Sequence, residues 1–220
     1  MISRPTHAAV VGTSNPFATR FIRAGERPYC FGGNEGPHRI LNCLHRSRWR
    51  GQIVGPHGSG KTTLLRTLAG HWSSFERTSV VVELHNSQRS LTHTPHVTPN
   101  TQIVIDGFEQ LGILSQLAIV ARSMRSGCGL LVTAHRPLPW LRTVYRTATD
   151  EKLALDLAND LLQRAEDRHR NLFHVEPTNN WKLDRERLAR HFDDCDGNLR
   201  EVFLRLYDDY SAGCISSRMR

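Results

Sequence analysis

Short apolar runs alternate with helical patterns through the middle of the chain. The runs Val80–Val82 and Ile103–Ile105 are continuous and β-branched, which is typical of strands buried on both faces of a parallel sheet. The pattern predicts strands at Gln52–Val54, Ser79–Leu84, Gln102–Asp106, Gly129–Thr133 and Thr143–Arg146. Apolar positions at helical spacing predict helices at Pro37–Arg46, Lys61–His71 and Glu109–Arg125. This order of elements predicts an α/β fold, a three-layer doubly wound parallel sheet.

From residue 149 onward the pattern is purely helical. Thr149 and the acids after it predict a helix start with a hydroxyl cap, and Asp184 predicts the cap of a second helix. A third helix follows Asn198, and its apolar side chains share one face: Leu199, Val202, Phe203, Leu206, Tyr207 and Tyr210. We therefore divide the chain into a turn-rich basic segment (1–50), a core (51–148) and a C-terminal helical region (149–220).

Composition narrows the class of protein. The best apolar region, Ile103–Ala121, is interrupted by Asp106 and Glu109, so we expect no membrane-spanning helix. The N-terminal apolar run is too short for a signal peptide. The five cysteines are scattered, odd in number and without a CxxC pair, which fits a reducing cytoplasm better than a disulfide scaffold or a cysteine zinc site.

The chain is basic, with 29 Lys or Arg, 21 Asp or Glu and a net charge of +8. Such a charge attracts anionic partners, so nucleic acid is a candidate partner. The densest basic run, His45–Arg50, is interpreted as a solvated face beside the first strand, with a nucleic-acid patch as the alternative. His93 and His96 have no acidic or cysteine companion, so we do not expect a metal site there.

A glycine-rich loop follows the first predicted strand and opens a helix. It matches the pattern GxxxxGK[ST] with these residues: Gly55, Pro56, His57, Gly58, Ser59, Gly60, Lys61 and Thr62, followed by Thr63. Glycines let backbone N–H groups converge on phosphate oxygens, and the helix N-terminus adds positive potential. We expect this loop to bind a nucleotide triphosphate, with Lys61 on the β- and γ-phosphates and Thr62 on Mg²⁺.

Two carboxylates follow the strand Gln102–Asp106. Asp106 ends that strand, where the carboxyl ends of neighbouring parallel strands open onto the ligand crevice, so we expect it to hold Mg²⁺ directly or through water. Glu109 is the nearest candidate for the group that polarises an attacking water. The alternative for Glu109 is an acid that stabilises the first turn of a helix.

These motifs resemble P-loop NTPases of the AAA+ and STAND (NACHT-like) type, which carry an extra strand between their two nucleotide motifs. Lys61 and Asp106 are separated by 45 positions, enough for a helix, a strand and a loop. The segment Asp106–Glu109 is similar to the NACHT-type DGxDE pattern, although Gly107 stands where AAA+ proteins have Glu. The resemblance implies ATP and Mg²⁺ as cofactors, hydrolysis, and a C-terminal helical lid.

Two further segments resemble sensor motifs of these families. Leu131–Pro137 is similar to the segment after the fourth strand, which makes Thr133 the candidate sensor of the γ-phosphate. His135 and Arg136 are alternatives, and His135 could also act like the switch histidine of ABC proteins. Gly197–Glu201 is similar to the GNxRE segment of AAA+ lids, which makes Arg200 a candidate contact to the γ-phosphate.

The interpretation of function is a Mg²⁺-dependent ATPase that couples hydrolysis to movement of the lid or of an assembly. One alternative is a small-molecule or nucleoside kinase. A second is a non-hydrolysing nucleotide switch or DNA-associated adaptor. The resemblance also allows a homo-oligomer in which an arginine of a neighbouring subunit completes the site; the candidates are Arg122, Arg125, Arg136 and Arg142.

Overall fold

The computed structural model describes residues 15–23, 25–32, 35–84, 97–173 and 183–212, which form two compact units. One unit is Ala24–Ala148, and the other combines the described parts of Met1–Arg23 and Thr149–Arg220. His93 and His96, where the sequence predicts no metal site, lie outside these residues. No helix among them is long and apolar enough to cross a membrane.

The first unit is built on a parallel sheet, in which the described residues form five strands. They are β1 (Arg50–Val54), β2 (Thr78–Glu83), β3 (Thr101–Asp106), β4 (Gly129–Ala134) and β5 (Thr143–Arg146). All five match predicted strands to within two residues at either end. Their order is β2-β3-β4-β1-β5, so β4 lies between β1, which precedes the glycine-rich loop, and β3, which ends at Asp106. The carboxyl ends of β1, β4 and β3 therefore lie side by side.

Helices cover both faces of this sheet. They are α2 (Pro37–Arg46), α3 (Lys61–Ala69) and α4 (Ile113–Ser126). The short helix α1 (Thr19–Ile22) precedes them in sequence and belongs to the other unit. Leu131 of β4 packs with α2 and α3, whereas its neighbours Leu130 and Val132 pack with Val120 of α4. Alternate residues of the buried strand therefore point into two separate apolar cores, which confirms the α/β fold with three layers.

The predicted start of α4 at Glu109 is wrong. Gly107 has a left-handed φ of +78°, and a single 3₁₀ turn, Phe108–Gln110, follows it. Leu111 is then extended and buried, and α4 begins only after Gly112. Burying Leu111 in the apolar core requires a break in the helix, which the sequence periodicity did not reveal. Glu109 therefore lies in a turn that faces the sheet edge and not in the first turn of α4.

The second unit is helical, with α5 (Glu151–Phe173), α6 (Arg185–Asp194) and α7 (Leu199–Ser211). Phe17 is 1% exposed in its core and stacks on Phe203. Asp184 caps α6 as predicted, accepting from two backbone N–H groups. The predicted hydroxyl cap of α5 is wrong, because the Asp150 carboxylate accepts from the N–H of Leu153 at 2.6 Å while Thr149 donates to the Gly197 carbonyl. A carboxylate is the stronger acceptor at the positive end of a helix.

Candidate functional site

The glycine-rich loop runs from the end of β1 to the start of α3. Gly58 and Gly60 adopt left-handed φ values of +69° and +83°, which glycine reaches without steric cost. Gly55 lies so close to the chain after β5 that a Cβ there would come within 2.6 Å of the Thr147 carbonyl oxygen. The Ser59 hydroxyl bonds the Thr147 hydroxyl at 2.6 Å and the Pro56 carbonyl at 2.8 Å. These contacts hold the loop in one conformation against the sheet.

Lys61 turns its ammonium group back into this loop. Nζ donates to the carbonyl oxygens of Gly55 and Pro56, both at 2.7 Å, and lies 3.2 Å from Nδ1 of His135. Burial lowers the pKa of Lys61, while the nearby carboxylates of Glu109 and Asp106 oppose that shift. The loop thus holds a cation whose present partners are weak neutral acceptors, and an anionic oxygen would bind it more strongly.

Asp106, at the end of β3, accepts hydrogen bonds from two threonines. Thr62 donates to Oδ2 and Thr133, from the end of β4, donates to Oδ1, both at 2.5 Å. The Thr133 hydroxyl also accepts from the N–H of Gly107 at 2.8 Å. A hydroxyl and a carboxylate are ligand types that suit Mg²⁺, which takes one or two protein oxygens and completes its shell with phosphates and water. No described group of three or more His, Cys, Asp or Glu offers a full protein cage.

His135 joins Lys61 to Glu109. Its Nε2 lies 2.8 Å from Oε1 of Glu109. An ammonium group can only donate, so Nδ1 of His135 accepts from Lys61 and Nε2 carries the proton given to Glu109. The Gly55 carbonyl oxygen is farther from Nδ1, at 3.4 Å, and already accepts from Lys61. The neutral imidazole therefore connects Lys61 of the glycine-rich loop to the Glu109 carboxylate.

The surroundings of His135 favour this neutral state. Its pKa is lowered, first by burial, then by the Lys61 ammonium group and more weakly by His57, although Glu109 opposes the shift. The ring of His57 lies over it with the centroids 3.6 Å apart. The second oxygen of Glu109, Oε2, is buried without a hydrogen-bond partner among the described residues. A buried carboxylate oxygen without a partner is costly, so a hydrogen-bond donor such as water would be stabilised here.

The fold is also found in a bacterial protein of known structure. This chain superposes on NtrX from Brucella abortus, whose structure was determined in complex with ATP, with a TM-score of 0.54 and 13% identity. The match covers 89% of this chain and 53% of the NtrX chain. This chain spans about half the length of that NtrX chain. Protein NMB1076 from Neisseria meningitidis matches 52% of this chain and 77% of its own at 19% identity, but its TM-score of 0.30 carries no argument. No family model matches the sequence, and no curated protein is significantly similar to it.

The structure brings together most of the residues predicted for the site. One sheet edge holds the loop Gly55–Thr63, Asp106, Glu109, Thr133 and His135. Arg136 follows His135 and is exposed, while Arg142 precedes β5 at the opposite end of the strands. Arg200 lies in the first turn of α7, exposed, in the other compact unit.

Two residues of this edge were missed by the sequence analysis. Thr147 follows β5 and is 3% exposed, and its only signal was its position at the carboxyl end of a strand. Tyr29 places ring atoms 3.1 Å from where a Cβ of Gly60 would stand, and its N–H donates to the Thr67 hydroxyl at 2.7 Å. An aromatic ring therefore bounds the loop on the side of α3, within a turn-rich segment that showed no periodicity.

Proposed function

We propose that this protein binds ATP with Mg²⁺ and hydrolyses it. The observation that supports this most directly is the arrangement of Lys61, Thr62 and Asp106, in which the glycine-rich loop and its lysine lie beside a hydroxyl–carboxylate pair. The fold supports it as well, since the NtrX structure that it resembles contains ATP. The arrangement of these residues and the similar fold both concern nucleotide binding, so hydrolysis is the further step that an assay must test.

Binding would begin at the loop. The N–H groups exposed by Gly58 and Gly60 would hold the phosphates, and the Lys61 ammonium group would exchange the carbonyls of Gly55 and Pro56 for phosphate oxygens. Thr62 and Asp106 would hold Mg²⁺, which when bound neutralises charge that develops on the phosphates.

Glu109 would then polarise the attacking water. Its Oε1 is held by His135, which leaves the unpartnered Oε2 to accept a proton from water. Thr133, which bonds the metal carboxylate and the Gly107 backbone, would keep β3 and β4 in register at the reaction site. Phosphate binding would break the contact between Lys61 and His135. The change at His135 would then couple Glu109 to occupancy of the loop.

The helical unit is proposed to act as a lid over the nucleotide. Asn198 caps α7 through the N–H of Arg200, so the guanidinium group starts from a fixed helix terminus. An arginine that contacts the γ-phosphate would couple the position of the unit to nucleotide state. An arginine of a neighbouring subunit would complete the site in an oligomer.

The test is a titration with a fluorescent ATP analogue together with a phosphate-release assay. Lys61→Ala should abolish detectable binding, because it removes the cation of the loop. Lys152→Ala is the matched control, since Lys152 is exposed on α5 of the other unit. Phosphate release by the wild type should stop when Mg²⁺ is chelated. Unchanged affinity in Lys61→Ala would contradict nucleotide binding here, and tight binding without release at any protein concentration would leave a switch and not an ATPase.

A further inference from the structure

The acidic residues of this chain are distributed unevenly. Residues 36–75 and 110–149 contain no Asp or Glu but eleven Lys or Arg, whereas the other 140 residues carry 18 Lys or Arg against 21 Asp or Glu. The basic character of the protein therefore comes from these two stretches alone. The fold places them side by side, because β1 of the first stretch pairs with both β4 and β5 of the second.

The two stretches meet at a recess near the amino ends of β1 and β5, the end of the strands opposite the phosphate loop. We call it the arginine recess; it has a volume of about 270 Å³, and its lining is Ser47, Arg50, Val120, Met124, Trp140, Leu141 and Arg142. Its apolar floor comes from α4 and the loop before β5, and its rim carries two guanidinium groups. It thus combines positive charge with an apolar, partly aromatic surface.

No described carboxylate pairs with the arginines at the rim of the recess or with those beside its lining residue Ser47. Arg46 and Arg48 flank Ser47 and are exposed, as is Arg142, while Arg50 is half-buried. In the described part of the chain, none of these four guanidinium groups forms an ion pair with a carboxylate. By contrast, arginines of the helical unit such as Arg164 and Arg205 are paired with aspartates.

The backbone holds this rim in an unusual conformation. Arg48 and Trp49 are consecutive non-glycine residues with left-handed φ values of +53° and +63°, which side chains other than glycine rarely adopt. Trp49 is anchored by its carbonyl, which accepts from the Leu130 N–H at 2.8 Å, and by the Arg77 guanidinium over its ring. Trp49 therefore anchors the turn to the rest of the unit, and an arginine lies on either side of it in sequence.

The floor of the recess is also held firmly. The Gln52 side chain is 1% exposed and donates to the carbonyls of Leu138 and Leu141, at 2.9 and 2.6 Å, while it accepts from the Leu138 N–H. These bonds fix the loop that carries Trp140. The Trp140 indole N–H finds no partner among the described residues, and Met124 is 61% exposed at the rim.

We propose that the arginine recess binds single-stranded nucleic acid. A single strand offers a phosphate at every nucleotide for the guanidinium groups and an unstacked base for the apolar, indole-lined floor, which is how sequence-tolerant single-strand sites are built. A duplex keeps its bases stacked and presents only phosphates to such a recess. An acidic peptide would meet the charge but brings no regular planar group for the floor.

The experiment measures fluorescence anisotropy of a labelled 20-nucleotide oligothymidine with the full chain, between 50 and 200 mM salt. The wild type should bind, with an affinity that falls as salt rises. Arg48→Asn/Arg50→Ala should weaken binding about tenfold or more and flatten the log–log salt slope by about 1.4, the equivalent of two phosphate contacts on a single strand. Asn is used at position 48 because it tolerates a left-handed backbone. The matched control, Arg164→Ala/Arg205→Ala, should bind as the wild type does.

Three arms separate this proposal from others. An abasic strand of equal length and charge should bind at least several-fold more weakly, and a duplex of the same length or a poly-glutamate peptide should bind no tighter than the single strand. The circular dichroism spectrum and the unfolding midpoint of Arg48→Asn/Arg50→Ala should match those of the wild type, which shows that the fold is intact and keeps this result independent of ATP binding and hydrolysis. If that variant is unfolded, Arg142→Ala, which changes an exposed side chain, takes its place in the anisotropy measurement. Absent binding by the wild type, equal loss in the control, equal binding of the abasic strand, or a preference for duplex or peptide would each overturn the proposal.

Discussion

The contact between His135 and Glu109 leads to a prediction about catalysis that is separate from nucleotide binding. His135→Ala removes the imidazole that donates to Oε1 of Glu109 at 2.8 Å. Because Oε2 has no partner among the described residues, the carboxylate would lose its only observed hydrogen bond and its fixed orientation. Lys61 would keep its bonds to Gly55 and Pro56, so the phosphate loop itself should remain formed.

The size of the effect follows from the bond that is lost. A hydrogen bond to a charged group contributes about 1.5 to 3 kcal/mol. If that bond orients Glu109 for the attack of water, its loss appears in the activation free energy and lowers kcat by about 10- to 150-fold. The apparent affinity for ATP should be unchanged or slightly higher, because Lys61 loses a competing partner. His135→Gln, whose amide can still donate, should recover part of the rate.

Steady-state phosphate release over a range of ATP concentrations separates kcat from KM, and an analogue titration gives Kd independently. His38→Ala provides a control at an exposed histidine of α2, outside the candidate site. The reasoning also requires that His135→Ala and Glu109→Gln combined lose little more than Glu109→Gln alone, since one residue acts through the other. A rise in KM with kcat unchanged, or fully additive losses, would refute it.

Three further predictions concern the same unit. Glu109→Gln should retain ATP but slow phosphate release by about 100- to 10,000-fold, the range of a general base; release at the wild-type rate would show that another group activates water. Gly55→Ala should destabilise the fold by about 1 to 3 kcal/mol in chemical denaturation, because a Cβ would collide with Thr147, whereas an unaltered midpoint would mean that the loop relaxes. The free energy of unfolding should decline as pH falls below about 6.5, because the folded state lowers the pKa of His135 and the unfolded chain takes up that proton first. His135→Gln should remove this part of the dependence of stability on pH. An identical dependence in both proteins would contradict the prediction.

The glycine-rich turn between β1 and α3 and the position of Asp106 at a strand end could be predicted because their signals are local. A strand, a glycine-rich turn and a helix follow one another within Gln52–Ala69, and Lys61 and Thr62 have fixed positions in that pattern. Asp106 ends an apolar run, and the carboxyl ends of parallel strands share one edge. Neither inference needs the order of strands in the sheet.

The contacts of His135 with Lys61 and Glu109 could not be predicted in this way, because they depend on that order. His135 reaches Lys61 and Glu109 since β4 lies between β1 and β3, and an apolar strand pattern does not say which strands are neighbours. The partners of Gln52 could not be predicted from local sequence either. A polar residue in an apolar strand indicates a buried partner, but its partners, the carbonyls of Leu138 and Leu141, are more than 80 positions away.

The glycine after Asp106 explains how the two carboxylates come to differ in environment. The left-handed φ of Gly107 reverses the chain directly after β3, and the 3₁₀ turn that follows carries Glu109 back toward the end of β4. A glutamate in place of Gly107 would have to adopt that backbone, with a Cβ 2.8 Å from the Gln110 amide. Asp106 consequently lies between two hydroxyl donors, while Glu109 meets a single imidazole and keeps one oxygen unpartnered. Two carboxylates with such different partners are suited to different tasks, one to hold a metal ion and the other to accept a proton. The turn at Gly107 therefore accounts for the separation of the two carboxylates, and Glu109 remains the proposed proton acceptor.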